Sequence, residues 1–461
     1  MSKILLISAN TCTGPIPVYP LGMALIASAL KGQGHETKQF DLLCNQEAGN
    51  KEDALCRVLK EFGPDFVGIS VRNIDNVDSL ATKENWYLAG LKDLVSQIKA
   101  VCRAPVIIGG PAVSIMPENI LELSEADYGV VGEGEITFNR LIDDLIKRKN
   151  PPRIIRPDKT PMEAPDFYSP LYEKPLLDYY VDKSGMVNYQ TKRGCPYGCN
   201  YCSYPLIEGK RFRKQDPEFV VENLLRLKNQ FNVDTLFFTD SIFNDPQGDY
   251  LKIAELMVQK NCSMKWAAYF RPQKIQKAEL DLLKASGLYA IEVGSDAACD
   301  TTLKGINKNF TFEDILAFNQ ACSKAAIPCA HFFMFGGPGE TPETITQSLK
   351  NIEQLEKSVV FVFSGIRILP NTGIADIAKA QGVLDKNDTL LTPRYYVSPL
   401  VDKGKMNSAI ETAFHKKKGR FFPPEKGEMR MKALQAFGFK GLLWDYILKT
   451  SPKRQRKRRV S

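Results

Sequence analysis

The sequence predicts an α/β protein: a doubly wound parallel sheet, then a partial (β/α)6 barrel, then a helical extension. Short apolar runs alternate with segments of helical periodicity through the first 145 residues. The same strand-then-helix alternation repeats six times from residue 187 to about Leu369. Seven prolines between Pro151 and Pro175 separate the two series and predict an extended connector. We therefore expect domains at 1–145 and 187–400, a proline-rich linker at 146–186 and a C-terminal helical extension with a basic tail at 401–461.

The N-terminal series predicts a Rossmann-like sheet with helices on both faces. Its expected strands are Lys3–Ala9, Glu36–Leu43, Phe66–Val71, Val106–Gly109 and Tyr128–Val131, and its expected helices are Pro20–Lys31, Asp53–Phe62, Asn85–Val101 and Pro117–Leu123. Ligands of such sheets bind at the carboxyl ends of the strands. The loops at those ends are polar or rich in glycine: Asn10–Gly14, Ser70–Asp75, Gly109–Pro111 and Gly132–Glu135.

The second series predicts the barrel, whose chemistry is also expected at the carboxyl ends of its strands. The expected strands are Val187–Lys192, Thr235–Phe238, Trp266–Tyr269, Ala290–Gly294, His331–Phe335 and Phe361–Leu369. Internal charges such as Glu292 and Arg367 are compatible with ion pairs inside the barrel. In the extension, apolar spacing from Met431 to Leu448 predicts one helix packed on the barrel.

Composition predicts a cytoplasmic protein with a local basic feature. The net charge is +8, and six cations between Lys453 and Arg459 leave the rest of the chain close to neutral. Eleven scattered cysteines argue against a disulfide scaffold. The first residues turn polar too early for a signal peptide, and no apolar run approaches the roughly 18 residues of a spanning helix.

Three cysteines, Cys195, Cys199 and Cys202, form a CxxxCxxC run that opens the second domain. A 4Fe–4S cluster normally takes four thiolates, so three ligands leave one iron free for another molecule. A zinc knuckle is the alternative for such cysteines. Zinc prefers four ligands in paired CxxC spacing, and neither a second pair nor a nearby histidine follows. The spacing therefore favours a cluster over zinc.

This run resembles the cluster loop of the radical S-adenosylmethionine (SAM) superfamily. The resemblance implies that the free iron chelates SAM, that its cleavage releases a 5′-deoxyadenosyl radical, and that an external donor of the flavodoxin or ferredoxin type supplies the electron. It also implies that SAM is held near the strand ends. The residues that we expect to contact SAM are Tyr201, Asp240, Arg271, Ser295, Asp296, Gly336 and Gly337.

The N-terminal series resembles the cobalamin-binding domain that precedes many radical SAM enzymes. The resemblance rests on the order and spacing of Pro20–Met23, Gly34–Glu36, Ile107–Pro111 and Val130–Glu135. It implies a cobalamin site at Asn10, Ser70, Gly109, Gly110, Gly132 and Glu133. The family's DxHxxG motif is absent, so we expect cobalt without a histidine on its lower face.

Together the two resemblances imply a cobalamin-dependent radical SAM enzyme that methylates an unactivated carbon of a small molecule. Radical cyclisation or rearrangement without methyl transfer is an alternative. RNA methylthiolation is another, but Cys12, Cys44, Cys56 and Cys102 lack that family's surroundings, and nucleic acid is not an expected partner. A non-enzymatic corrinoid or redox sensor is disfavoured, because it would not need a cluster loop and a SAM site.

The basic C-terminus suggests a lipid-like substrate met at a membrane surface. A basic run, Lys416–Arg420, precedes Phe421 and Phe422, and the terminal tail adds six cations. A cationic patch plus a few apolar side chains can hold a protein reversibly on anionic lipid. Phosphate contacts to RNA or a solvated tail would use the same residues.

Overall fold

The computed structural model describes residues 1–14, 16–47, 51–81, 86–157, 162–163 and 166–449, and it confirms the predicted α/β architecture. The first sheet has six parallel strands in the order β2-β1-β3-β4-β5-β6, the flavodoxin-like order extended by one strand. Its strands are β1 Lys3–Ser8, β2 Glu36–Asp41, β3 Phe66–Ser70, β4 Val106–Gly109, β5 Tyr128–Val130 and β6 Ile154–Ile155. Its helices are α1 Leu21–Gly32, α2 Leu42–Glu47, α3 Lys51–Phe62, α4 Leu91–Val101, α5 Pro111–Ile115, α6 Pro117–Ser124 and α7 Gly134–Ile146.

The continuous apolar run of β1 is explained by burial on both faces. Leu5 and Ile7 pack in the cluster that contains α3 and α4, whereas Ile4 and Leu6 pack in the cluster that contains α1 and α7. A central parallel strand covered by helices on both sides has no polar face. A ligand of this sheet is therefore expected at the ends of the strands and not on a face.

The second sheet has seven parallel strands in the order β17-β14-β13-β12-β11-β10-β7, one more than the six predicted. Its strands are β7 Val187–Tyr189, β10 Thr235–Phe238, β11 Lys265–Phe270, β12 Leu288–Asp296, β13 Cys329–Phe335, β14 Ser358–Ser364 and β17 Arg420–Phe421. Short strands β8 Lys192–Arg193 and β9 Arg213–Lys214 pair with each other, as do β15 Ile366–Arg367 and β16 Tyr395–Tyr396. The helices are α9 Tyr204–Ile207, α10 Pro217–Phe231, α11 Asp249–Gln259, α12 Lys277–Ala285, α13 Asp300–Gly305, α14 Phe312–Lys324, α15 Pro342–Glu353, α16 Gly373–Ala380, α17 Lys403–Phe414, α18 Glu425–Ala436 and α19 Trp444–Leu448.

The prediction of an extended linker is wrong for part of 146–186. Strand β6 joins the first sheet beside β5, and helix α8, Lys174–Ser184, buries Leu176, Leu177 and Tyr180. Pro175 fits at the start of α8, where a helix needs no backbone donor. The prolines of this segment therefore lie at the start of a helix as well as in irregular loops. Residues 158–161 and 164–165 lie outside the described residues.

Two further boundaries differ from the predictions. The helix expected over Asn85–Val101 begins at Leu91, and Asn85 itself lies outside the described residues. The single helix expected over Met431–Leu448 is two helices, α18 and α19, because Gly438 and Gly441 adopt positive φ angles of 86° and 83° between them.

The aromatic pair of the suggested membrane patch belongs to the fold instead. Phe421 lies in the edge strand β17, paired with Phe361, and Phe422 is 4% exposed. The Arg420 guanidinium donates to the carbonyls of Ser358 and Leu355 at 2.6 Å. Two of the suggested contacts are therefore structural, and the tail at 450–461 lies outside the described residues. Among the described helices, none combines the length and apolar character needed to cross a bilayer.

Candidate cofactor and substrate site

The cysteine loop starts with a turn that only glycine fits. Gly194 has a φ of +84°, and a Cβ there would lie 2.0 Å from the carbonyl oxygen of Arg211. The Cys195 amide donates to the Gly209 carbonyl at 3.1 Å. Further along, Asn200 donates to the Gly305 carbonyl at 2.8 Å. The loop is thus anchored at both ends before any metal binds.

The three thiols lie close enough to influence one another. Burial raises the pKa of Cys195, and it raises the pKa of Cys202 to about 12, with the Cys199 thiol adding to both shifts. Yet within the described residues no group of three His, Cys, Asp or Glu side chains is arranged to hold a metal ion. The three thiols are neighbours on one loop, as the ligands of a shared metal group must be, and the preference for a cluster over zinc rests on the spacing of the cysteines.

A charged group stands directly beside the cysteine loop. Lys308 forms an ion pair with Asp296 and a hydrogen bond with the Cys199 thiol. Burial lowers the pKa of Lys308, but Asp296 and Cys199 outweigh it and hold that pKa above its ordinary value. Tyr201 also bonds to Asp296, whose φ of +62° is unusual for a residue other than glycine. The predicted residues Tyr201 and Asp296 thus meet at the loop, and Lys308 is a neighbour that the sequence analysis did not select.

Replacing Lys308 by Met should lower the reduction potential of the cluster. A cation next to a cluster ligand stabilises the more negative, reduced state, and the net charge around a cluster helps to set its potential. A redox titration followed by electron paramagnetic resonance measures the shift. Lys304→Met, on the adjacent helix α13, is the matched control, and an equal shift in both variants would contradict this role.

Arg271, one of the residues expected to contact SAM, also lies beside the loop. Its guanidinium is 4.3 Å from the ring centre of Tyr197 and 4.6 Å from that of Phe310, and it donates to Asn309. The thiols of Cys199 and Cys195 act on it electrostatically. A guanidinium in this place is suited to a carboxylate, which keeps the predicted contact with the methionyl carboxylate as an expectation.

Two other residues that were expected to contact SAM are buried and already bonded to other groups of the protein. Asp240 has no exposed surface; its carboxylate accepts from the Thr191 amide at 2.6 Å and lies 3.6 Å from Lys192 Nζ. Ser295 is also fully buried and bonds to His331 Nδ1 at 2.8 Å on the helix side of β12. These two predictions are corrected: both residues position the strand ends from behind.

Gly336 and Gly337 form the turn after β13, but their amides serve the protein itself. The Glu340 carboxylate accepts from Gly336 at 3.0 Å and also from Gly337. A Cβ on either glycine would press against apolar side chains at 3.3 Å. The turn therefore shapes the rim of the barrel, and contact of its backbone with SAM stays a prediction.

All six residues predicted for cobalamin line one cavity of about 660 Å³ between the two sheets. On the side of the first domain these are Asn10, Ser70, Gly109, Gly110, Gly132 and Glu133. The barrel side contributes Asn188, Gln190, Tyr204, Thr239 and Tyr269, among others. The cavity thus lies where the carboxyl ends of both sheets face each other.

The cavity fits a large ligand with amide groups on its edge. Asn10 Nδ2 and Asn188 Oδ1, one from each domain, are buried there and find no hydrogen-bond partner among the described residues. Gly110 has a φ of +101° and forms part of the wall without a side chain. The three histidines all lie in the described part of the chain, and none lines the cavity. These features agree with a corrinoid that receives no protein imidazole.

Buried ion pairs join the two domains around the cavity. Arg213 pairs with Glu133 at 2.6 Å, and Arg193, directly before the cysteine loop, pairs with both Glu133 and Glu135. The Glu133 side chain is therefore engaged by arginines, which leaves its backbone as the part available to a ligand. A second pair joins Arg367 to Asp75 at 2.7 Å, so Arg367 pairs between domains and not within the barrel.

Comparison with known families agrees with this division of the chain. Residues 13–142 match the B12 binding domain family, and residues 189–352 match the radical SAM superfamily. The chain is therefore a radical SAM enzyme with an N-terminal B12-binding domain, and it belongs to the cobalamin-dependent radical SAM family.

Several proteins that the chain resembles are methyltransferases by name. An uncharacterized methyltransferase of Pyrococcus horikoshii, PH0819, is 26% identical over 365 residues, which are 75% of this chain and 74% of that protein. The tryptophan 2-C-methyltransferase of Streptomyces laurentii is 23% identical over 434 residues, covering 78% and 72%. The methyltransferase TsrM of Kitasatospora setae, solved with cobalamin and a 4Fe–4S cluster, shares the fold at a TM-score of 0.82 and 21% identity over 97% and 98% of the two chains.

Proposed function

We propose that the protein methylates an unactivated carbon of a small molecule, a secondary metabolite or lipid-like compound, with SAM, one 4Fe–4S cluster and cobalamin. One observation carries the proposal: the cysteine loop and the inter-domain cavity lie over the same barrel and are joined by Arg193, which pairs with the cavity loop and directly precedes Gly194. A substrate in the barrel is thus reached from both cofactor positions.

The cofactors would supply the reactive chemistry and the protein would supply geometry. When bound, the cluster supplies an electron to the sulfonium of SAM and the corrinoid supplies a methyl group. Cys195, Cys199 and Cys202 would hold iron, with Lys308 and Arg271 adding positive charge around them. The loop residues Pro196 and Gly198 are exposed, which gives an external electron donor of the flavodoxin or ferredoxin type a surface near the thiols.

Bound cobalt(II) corrinoid is expected to show no nitrogen hyperfine splitting from a protein imidazole. His331 is fully buried between Ser295 and Asn319, and His35 and His415 do not line the cavity, so no histidine would be placed to ligate a corrinoid bound there. Electron paramagnetic resonance of the anaerobic complex measures this directly. Splitting that disappears in a His331→Asn, His35→Asn or His415→Asn variant would contradict the expectation.

Isotope transfer tests the proposed reaction. The anaerobically reconstituted protein is incubated with methyl-deuterated SAM, a reductant and a metabolite extract. We expect a product that carries the deuterated methyl group, together with 5′-deoxyadenosine and S-adenosylhomocysteine. Formation of 5′-deoxyadenosine with a changed but unlabelled product would favour the radical cyclisation or rearrangement alternative. Absence of every product with both cofactors bound would contradict the proposal.

A further inference from the structure

Helix α18, Glu425–Ala436, packs on the second domain and has two apolar faces instead of one. Its inward face includes Gly427 and Met431, which are buried, and Met431 packs in the same cluster as Phe361 of the second sheet. A helix at the surface of a domain is expected to carry polar side chains on the face opposite its buried one. The outward face of α18 does not follow that pattern.

This outward face is a stripe of exposed apolar residues. Met429, Ala433 and Ala436 are spaced by four and three positions, which places them along one side of the helix, and Phe437 continues the stripe at its end. Met429 is 64% exposed, and Phe437, at 83%, is the most exposed aromatic residue in the described part of the chain. Single exposed apolar residues are ordinary, whereas a stripe on one helix face indicates a surface that another body covers.

Cations lie on both sides of the stripe. Arg430 comes one position after Met429 and Lys432 comes one position before Ala433, so the helical twist places these two side chains on opposite flanks. Both residues are exposed, and Lys432 also acts on the Glu428 carboxylate one turn before it. The face thus combines an apolar centre with a positively charged rim.

The chain after α18 extends this combination. The Phe439 amide donates to the Leu434 carbonyl at the end of the helix, and the Phe439 ring centre lies 4.5 Å from that of Tyr446. Tyr446 is 44% exposed, and Lys449 Nζ lies 5.8 Å from its ring centre. In the sequence, six further cations follow between positions 453 and 459. Exposed aromatic rings next to cations are typical of proteins at a membrane–water boundary.

The charge of this face decides which partner fits it. Two copies of the chain that met stripe to stripe would bring the same cations together, and like charges at a desolvated contact oppose association. RNA would meet the cations through its phosphates, but it offers no apolar surface to Met429 and the two alanines. An anionic bilayer accepts both components, because apolar side chains enter the boundary below the headgroups while the cations stay beside the phosphates.

We propose that the outward face of α18, formed by Met429, Arg430, Lys432, Ala433 and Phe437, docks on an anionic lipid bilayer and holds the protein reversibly at the membrane surface. This docking face differs from the surface that the sequence indicated, whose aromatic pair is packed in the fold. The proposal is independent of the proposed reaction, since docking on lipid needs neither a cofactor nor turnover.

Sedimentation with lipid vesicles tests the proposal on the full-length, anaerobically reconstituted protein. One set of vesicles is phosphatidylcholine alone, and the other contains equal parts of phosphatidylcholine and phosphatidylglycerol. We expect the protein to partition at least about tenfold more strongly onto the anionic vesicles. Added salt should weaken this binding, because it screens the attraction between the exposed cations and the lipid phosphates.

Two double variants separate the apolar and the charged parts of the docking face. Met429→Ser with Phe437→Ser should weaken binding to the anionic vesicles by at least about tenfold, because two large apolar side chains no longer enter the lipid. Arg430→Ser with Lys432→Ser should weaken it by about tenfold through the lost charge. A chain that ends at residue 449 should bind less tightly but respond to the apolar double variant in the same way.

Ile146→Ser with Val258→Ser is the matched control. These residues are 47% and 41% exposed on helices α7 and α11, away from the docking face, so this variant should bind vesicles like the unchanged protein. Absence of binding to anionic vesicles even at low salt would overturn the proposal. So would unchanged binding by the apolar double variant, which would assign the effect to the terminal cations alone. Self-association in the absence of lipid that Phe437→Ser abolishes would assign the face to a second copy instead.

Discussion

Replacing Cys195, Cys199 and Cys202 together by alanine is expected to remove essentially all iron and sulfide from anaerobically purified protein. The three thiols are brought together by a loop anchored at Gly194 and Asn200. The broad iron–sulfur absorbance should disappear with the metal. Iron and sulfide analysis, with circular dichroism to confirm folding, measures the result.

The control for this experiment is a second triple replacement. Cys262, Cys322 and Cys329 are buried, free thiols in the hydrophobic core below the barrel helices. Their alanine variant should keep its iron and lose only some stability, because small cavities replace the sulfur atoms. If the Cys195, Cys199 and Cys202 variant kept a full complement of iron, the assignment of the cluster would be wrong.

Gly110→Leu is expected to abolish corrinoid binding and leave the iron content intact. Gly110 lies in the cavity wall with a φ of +101°, where a Cβ would stand 2.7 Å from the Val71 carbonyl oxygen. A leucine side chain at this position must therefore displace the β3–α4 loop or project into the space that the corrinoid needs. Because the wall is closely fitted, we expect the affinity for corrinoid to fall several-fold or to be lost completely. The corrinoid absorbance retained after gel filtration measures binding.

The Gly34→Leu variant shows whether a loss of corrinoid binding comes from blocking the cavity or from backbone strain at a glycine. Gly34 has a comparable φ of +82° in the turn before β2, but a Cβ there would meet no atom within 4 Å. We expect this variant to keep both its corrinoid and its iron. Equal loss of corrinoid in the two variants would mean that any side chain at a glycine with positive φ disrupts the first domain. The assignment of the cavity as the corrinoid site would then lose its support.

The sequence predicted the features that depend on local patterns. The strand–helix alternation identified both sheets, and rules for the carboxyl ends of parallel strands brought the six predicted cavity residues into one space. The same rules misplaced Ser295 and Asp240. A residue at a strand end faces either the inner face of the sheet or the helices, and Ser295 falls on the helix side in step with Ile291 and Val293.

Long-range partners escaped the sequence analysis. Arg193 and Glu135 are 58 positions apart, and Arg367 and Asp75 are 292 positions apart, so nothing local indicated that these charges join the domains. The sequence predicted that the C-terminal segment packs on the barrel, but not that Leu442 and Trp444 reach Ala290 and Phe361 on the inner face of the second sheet.

The central claim is that one chain holds a single cluster on its three-cysteine loop and a corrinoid in the cavity above it. Quantifying iron, sulfide and corrinoid in the same anaerobically purified, corrinoid-supplemented sample tests it most directly. The account predicts about four irons, about four sulfides and one corrinoid per chain, as one 4Fe–4S cluster requires. Iron and sulfide for a second cluster, or a full cluster with no corrinoid retained at any supplementation, would contradict it.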